Sequence, residues 1–115
     1  MAATQGALAH KVTDVINTLG MTQEDVGKII DASPRSVARW QHGDAVPQRL
    51  NKDRLIELAY VADAVTEVIP AEEANLWMFT PNRLLDHDSP ATCIREGRYK
   101  DVLALIDALA EGVVV

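Results

Sequence analysis

Apolar residues recur every three to four positions along most of this chain, the period of helices that bury one face. In residues 7–19 the face is Leu8, Val12, Val15, Ile16 and Leu19, and Gly20 ends the segment. Residues 1–6 are small and polar and are expected to fray. Val26, Ile29 and Ile30 form a second, shorter face, and Val37 with Trp40 a third. Residues 51–69 read as one long helix with Leu55, Leu58, Ala62, Val65 and Ile69 in a stripe, widened by Ile56, Tyr60, Val61 and Val68. At ~1.5 Å per residue it reaches close to 30 Å, enough to bridge two small subdomains. Pro70 breaks it. A last helix over 98–111 carries Val102, Leu103, Leu105, Ile106 and Leu109 before Gly112. No stretch alternates apolar and polar between turn signals, so the expected fold class is all-α.

Capping residues sharpen these boundaries. Thr22 can cap the second helix, with Gln23, Glu24 and Asp25 placing acceptors and negative charge in its first turn. Gly27 suits a close crossing by a neighbouring helix, at roughly 1 kcal/mol of helix propensity relative to Ala. Asp31-Ala32-Ser33 reads as a tight turn, with Ser33 as N-cap and Pro34 in the first helical position. Thr80-Pro81 and Ser89-Pro90 repeat that device and predict helices over 71–79, 81–86 and 90–96, the last stopped by Gly97.

Two short helices around a tight turn follow the plan of a DNA-binding helix-turn-helix. On the second of them Val37 and Trp40 face inward, while Arg35, Ser36, Arg39 and His42 face outward and Gly43 ends the helix. Two guanidinium groups, a hydroxyl and an imidazole suit base edges and phosphates in a major groove. Residues 44–49 form a loop with Pro47 as breaker, and Gln48, Arg49 and Lys52 sit where donors could grip a DNA backbone. Thr22, Gln23 and Ser33 join them as candidate DNA contacts. The stretch resembles the Xre-type helix-turn-helix, with its threonine-glutamine start, its turn and its arginine-x-x-tryptophan-x-x-glycine recognition helix. Asp31 stands where such motifs usually carry glycine, and Asp tolerates a left-handed backbone better than most residues.

Charge divides the chain at the same place. The net charge is −6, yet residues 1–55 hold seven Lys/Arg against six Asp/Glu, and residues 56–115 hold four against eleven. A basic patch of Arg35, Arg39, Arg49, Lys52 and Arg54 could neutralise phosphates, whereas the acidic half would repel DNA and attract a basic partner. We place the domain boundary near residue 54, giving a helix-turn-helix domain over 1–54 and a second helical domain over 55–115, joined by the long helix. One cysteine excludes an intrachain disulfide and fits a reducing cytoplasm. There is no basic-then-apolar leader and no apolar run near ~18 residues, so no signal peptide or membrane span is expected.

The second half carries Asn75-Leu76-Trp77-Met78-Phe79-Thr80-Pro81-Asn82-Arg83-Leu84-Leu85, then Ser89-Pro90, Gly97-Arg98-Tyr99, Val102, Leu105-Ile106 and Glu111-Gly112. The spacing of Trp77, Pro81-Asn82, Leu84, Pro90, Gly97 and the closing glycine resembles the toxin-binding domain of the Xre/MbcA/ParS antitoxin family. With the Xre-like motif upstream, the resemblance covers nearly the whole chain. It implies an antitoxin of a type II toxin–antitoxin pair whose partner is a RES-domain toxin that destroys NAD⁺. It also implies that the C-terminal segment blocks the toxin's active site and that the helix-turn-helix binds the operon's own promoter. Candidate toxin contacts are Asn82, Arg83, Glu111, Gly112, Val113, Val114 and Val115. Arg83 reads equally well as a plain surface residue.

The residues of the tail add an argument of their own. Burying each of Val113, Val114 and Val115 is worth roughly 1.5 kcal/mol, ~4–5 in total, and fixing each backbone residue costs roughly 1–2 kcal/mol. The two nearly cancel on the chain's own surface, and a partner cleft that also satisfies backbone and terminal carboxylate would tip the balance. A frayed end or a homodimer contact are the plainer readings.

No catalytic constellation, glycine-rich phosphate loop or cofactor motif is visible, so no enzyme activity and no cofactor are expected. Asp86-His87-Asp88 does not converge on one point and reads as a solvated loop, without a metal. Cys93 reads as a small packed residue, Glu72 and Glu73 as helix surface, and Trp77 as core. The alternative function is a plain helix-turn-helix regulator whose C-terminal half only dimerises. Either reading expects a dimer or larger assembly, since a single recognition helix binds weakly and paired half-sites lie about 34 Å apart.

Overall fold

The computed structural model describes residues 2–112. Seven α-helices and one 3₁₀ turn follow one another: α1 (Ala2–Leu19), α2 (Gln23–Ile30), α3 (Pro34–Gln41), α4 (Arg49–Val65), α5 (Ala71–Phe79), the 3₁₀ turn (Arg83–Leu85), α6 (Pro90–Arg95) and α7 (Tyr99–Ala110). Among the described residues there is no strand, only one isolated bridge between Asn82 and Asp88. The all-α expectation holds.

The helix-turn-helix is built by its caps. The Thr22 hydroxyl accepts from the Asp25 N–H at 3.1 Å, and the Asp25 carboxylate accepts from the Thr22 N–H at 3.1 Å, so two otherwise unpaired donors of α2 are satisfied reciprocally. Asp31 ends α2 in the left-handed conformation, φ +61. Ser33 Oγ then accepts from the Ser36 N–H at 3.0 Å and Pro34 opens α3. Gly27 is required, though not for a helix crossing. A Cβ there would collide with the carbonyl of Ala32, whose N–H donates back to the Gly27 carbonyl at 2.9 Å. The glycine makes room for the turn itself.

α4 packs against α1 on one side and α7 on the other, and it also touches α2 and α6; α6 in turn packs on α2 and α7. One continuous core results, running from Val12 through Val26, Val37, Leu55, Leu58, Met78 and Ile94 to Ile106. Polar side chains stitch the same seam. Asn51 Nδ2 donates to the Ile30 carbonyl at 2.9 Å, and Asn75 Nδ2 donates to the Gly20 carbonyl at 3.2 Å and to Asp25 Oδ2 at 3.3 Å.

Several boundaries differ from the sequence expectation. α1 starts at Ala2, five residues before the expected start at Ala7. α4 runs from Arg49 to Val65 rather than over 51–69. The residue before a proline is pushed out of the helical region, so Ile69 cannot continue the helix into Pro70. The chain instead turns at 66–69, with Thr66 Oγ1 donating to the Ala62 carbonyl at 2.9 Å. Tyr60 lies off the buried stripe, 59% exposed. Thr80-Pro81 does not open a helix. The Thr80 hydroxyl donates back to the Leu76 carbonyl and so is lost as a cap. Asn82 caps instead, its Oδ1 accepting from the Leu84 N–H at 2.9 Å, and supports only the short 3₁₀ turn.

Candidate nucleic-acid and partner interfaces

The outer face of α3 presents Arg35, Arg39 and His42 to solvent, with Ser36 half-buried. Val37 and Trp40 anchor the opposite face in the core. The ion pairs among the described residues engage Arg54, Arg95 and Arg98, so the guanidinium groups of Arg35 and Arg39 are not tied to carboxylates. Gln48 lies across a shallow groove from Ser36 and Arg39, floored by Trp40, Ala45 and Asn51. Arg49 is exposed and Lys52 half-buried on the first turns of α4. This arrangement offers one exposed helix face with cations and a neighbouring set of amide and cationic donors.

Other candidates on this half have structural duties. The Thr22 hydroxyl is committed to the capping box. Gln23 Nε2 donates to Gln41 Oε1 at 2.9 Å, joining the start of α2 to the end of α3 and setting how the two helices cross. Ser33 Oγ caps α3 and also donates to Ser36 Oγ at 3.0 Å. Sequence reasoning missed Asn51, which ties α4 to the end of α2, and the residues that hold this unit against the second half: Asn75, Arg54 and Arg95. Each acts on a backbone or side-chain group distant in sequence, so no local spacing betrays it.

The second half presents a loop closed by its own hydrogen bonds. Asn82 takes a bond from the Leu84 N–H, its own N–H donates to the Asp88 carbonyl at 3.0 Å, and its carbonyl accepts from Leu85 and His87. Asp86 and His87 are both left-handed, φ +56 and +68. Arg98 holds the loop from behind, bonded to Glu96 and to Asp88 at 2.6 Å each. Those bonds to Glu96 and then Asp88 raise the guanidinium pKa further above its ordinary value. Leu85 is buried and pins the turn, while Arg83 and Leu84 point outward, Leu84 53% exposed. Cys93 lies fully buried behind this loop, and desolvation pushes its thiol pKa up.

Two apolar grooves open on this half. One, of about 470 Å³, is lined by Val68, Ile69, Leu76, Trp77 and Pro81, with Asn82 at its edge. Trp77 is half-buried there, packed against the core and part of a groove at once. The other, of about 320 Å³, lies between Leu84 and the outer face of α7. Glu111 and Gly112 are exposed at the end of α7, with Gly112 turning the chain at φ +84. Val113, Val114 and Val115 lie outside the described residues. No group of His, Cys, Asp or Glu among the described residues is placed to hold a metal ion, and none of the described helices is long and apolar enough to cross a membrane.

Known proteins resemble this chain along almost all of it. Residues 62–112 match the model of the antitoxin Xre/MbcA/ParS C-terminal toxin-binding domain. The mycobacterial cidal antitoxin MbcA of Mycobacterium tuberculosis and that of Mycobacterium bovis are each 66% identical over 108 residues, spanning 94% of this chain and 96% of theirs. A probable mycobacterial cidal antitoxin of M. tuberculosis is 31% identical over 107 residues, 93% of this chain and 91% of the relative. Among solved structures, the crystal structure of the M. tuberculosis MbcT–MbcA toxin–antitoxin complex contains a chain that superposes with a TM-score of 0.85 at 66% identity, covering 94% of this chain and 97% of that one. Agreement of this extent, through both the helix-turn-helix and the acidic helical half, places the molecule: the chain belongs to the Xre/MbcA/ParS antitoxin family and is the antitoxin member of a toxin–antitoxin pair.

Proposed function

We propose that this antitoxin binds and blocks a RES-domain toxin that destroys NAD⁺, inserting its C-terminal segment, Glu111 to Val115, into the toxin's active site. The observation that carries the reading is the 66% identity, across 94% of the chain, to a protein solved in a toxin–antitoxin complex. The RES and NAD⁺ assignments rest on the family resemblance. The role of the tail rests on its apolar, β-branched, terminal character, on an exposed exit at Gly112 and on the balance of burial against ordering that favours a partner cleft.

The same chain binds its own promoter through α3 in this reading. Arg35, Arg39 and His42 supply base and phosphate contacts, with Gln48, Arg49 and Lys52 on the backbone. A homodimer within the larger complex spaces two such helices for paired half-sites.

The decisive test is the NAD⁺ level in cells expressing the toxin encoded beside this gene, alone, with the full chain, and with a chain truncated after Glu111. The expected result is collapse with toxin alone and rescue by the full chain only. Equal rescue by the truncated chain would move inhibition to the helical body. An NAD⁺ level that never falls would remove the RES assignment and leave a DNA-binding regulator as the better account.

A further inference from the structure

One exposed apolar side chain stands among donors on the rim of the groove beside α3. That groove, of about 370 Å³, runs between Ser36 and Arg39 on the helix and Val46 and Gln48 on the loop that follows, over Trp40. Val46 is 51% exposed there, and its presentation is fixed. Pro47, next to it, is buried and anchors the loop. A residue before proline is confined to extended backbone, and a β-branched side chain is stiff at χ1. The Asp44 N–H donates to the Arg39 carbonyl at 2.9 Å and ties the start of the loop to α3. Val46 therefore offers its methyl groups at little ordering cost.

The chemistry of the rim decides what it meets. Among the described residues no carboxylate pairs with Arg39. The acid among the lining residues, Asp31, is met by Arg95 at 2.9 Å. Donors select acceptors, and an apolar group between them selects an apolar group between acceptors. In the major groove of duplex DNA, thymine presents its C5-methyl beside the O4 acceptor, and guanine presents the N7 and O6 acceptors that suit arginine. Phosphate oxygens follow along the strand. We propose that Val46 is a specificity-determining residue of this antitoxin: with α3 in a major groove, it packs on the C5-methyl of a thymine. Arg39 then bonds an acceptor on a neighbouring base edge, and Gln48 donates to the backbone of the same strand. The exposed cations supply affinity for any duplex, and Val46 supplies the preference for thymine. The proposal rests on the reading that α3 binds the promoter, and names a base that the loop after α3 selects.

The test is a gel-shift titration of the full-length chain on two copies of the DNA preceding its own gene, one with thymine and one with uracil throughout. Uracil keeps every donor and acceptor of thymine and lacks only the methyl group. Three chains are compared: the parent, Val46→Ala and Leu50→Ala. Val46→Ala removes two methyl groups from an exposed site, so its thermal melting is expected to match the parent. Leu50 is 62% exposed in the same stretch and does not line the groove, so its variant is the control. The parent is expected to bind uracil DNA about 4-fold or more weaker than thymine DNA, the level of one buried methyl group. Val46→Ala is expected to bind thymine DNA about 4-fold weaker than the parent and to lose nothing further on uracil DNA, since the two changes remove the same contact. Leu50→Ala is expected to keep the parent's preference. Equal parent affinity for both DNAs overturns the proposal and leaves promoter binding standing. Losses that multiply in Val46→Ala on uracil DNA also overturn it, because the valine and the methyl group then act apart. Loss of the preference through Leu50→Ala alone moves the methyl contact to the start of α4 and overturns the role of Val46. A parent chain that shifts neither DNA overturns the promoter reading, and the proposal falls with it.

Discussion

Arg95 on α6 donates to the carboxylate of Asp31 at 2.9 Å, tying the second half of the molecule to the left-handed residue that turns α2 into α3. The same guanidinium reaches the Lys28 carbonyl at 3.5 Å, and Arg54 Nε donates to the Arg95 carbonyl at 3.3 Å. With side chains 52% and 75% exposed, the Arg95–Asp31 pair is worth about 0–1 kcal/mol. A left-handed L-residue costs roughly 1–2 kcal/mol. The conformation of Asp31 therefore outweighs its ion pair.

Asp31→Gly relieves the left-handed strain and loses only an exposed ion pair. It is expected to leave stability unchanged or slightly raised, whereas Asp31→Ala keeps the strain, loses the pair and falls below Asp31→Gly by about 1 kcal/mol. Urea unfolding midpoints of the two variants and the parent settle this. Equal midpoints for Gly and Ala would mean that the turn carries no strain.

Gly27→Ala tests the turn from the other side. Helix propensity alone favours alanine by roughly 1 kcal/mol. The added Cβ meets the Ala32 carbonyl, a backbone atom that cannot rotate away. Overpacking against fixed atoms costs about 1–3 kcal/mol or more, so a net loss of stability is expected. A more stable Gly27→Ala chain in thermal melts would refute the close approach.

Replacing Arg35 and Arg39 together with alanine is expected to abolish a promoter gel shift and leave NAD⁺ protection intact. Both side chains are exposed and neither is held by an ion pair, so the fold loses nothing with them. Each lost phosphate contact should also lower the steepness of the salt dependence by about one unit. An unchanged shift would show that α3 serves the fold and not DNA.

Cys93 makes the stability of the fold depend on alkaline pH. Its burial raises the thiol pKa above the ordinary 9.0. Below that value both folded and unfolded chains hold the proton, and the group contributes no slope. Above it the unfolded chain releases the proton while the folded chain keeps it, so stability falls as pH rises through that window. A Cys93→Ala chain should lack this component in a comparison of unfolding free energies at increasing alkaline pH. The native thiol should also react with an aromatic disulfide reagent on the order of 100-fold more slowly than the urea-unfolded chain. Equal rates would contradict the burial.

Local structure was readable where a bond spans three or four residues. Thr22 with Asp25, Ser33-Pro34 and Ser89-Pro90 are caps that the chain writes within one turn of the helix they start, and all of them form. The apolar stripes of Val12–Leu19, Val26–Ile30, Leu55–Val65 and Val102–Ile106 supply the core at the expected positions. Thr80-Pro81 looked the same and failed because the Thr80 hydroxyl had a competing acceptor, the Leu76 carbonyl behind it, and Asn82 ahead of it was free to cap.

Taken alone, then, the sequence determined the all-α class, the helix-turn-helix, the outward face of α3 and the acidic character of the second half, since these depend on periodicity, caps and charge within one segment. Only the tertiary structure decided that Gly27 serves the turn, that Tyr60, Leu76 and Leu84 stay exposed, and that Leu84 and α7 enclose a groove. It alone joined Asn75 to Gly20 and Arg95 to Asp31, 55 and 64 residues apart. The reason is physical: a cap is chosen by neighbours on the chain, whereas these partners are chosen by the packing of α4, α5 and α6 around a shared core, and nothing in the spacing of the residues records that choice.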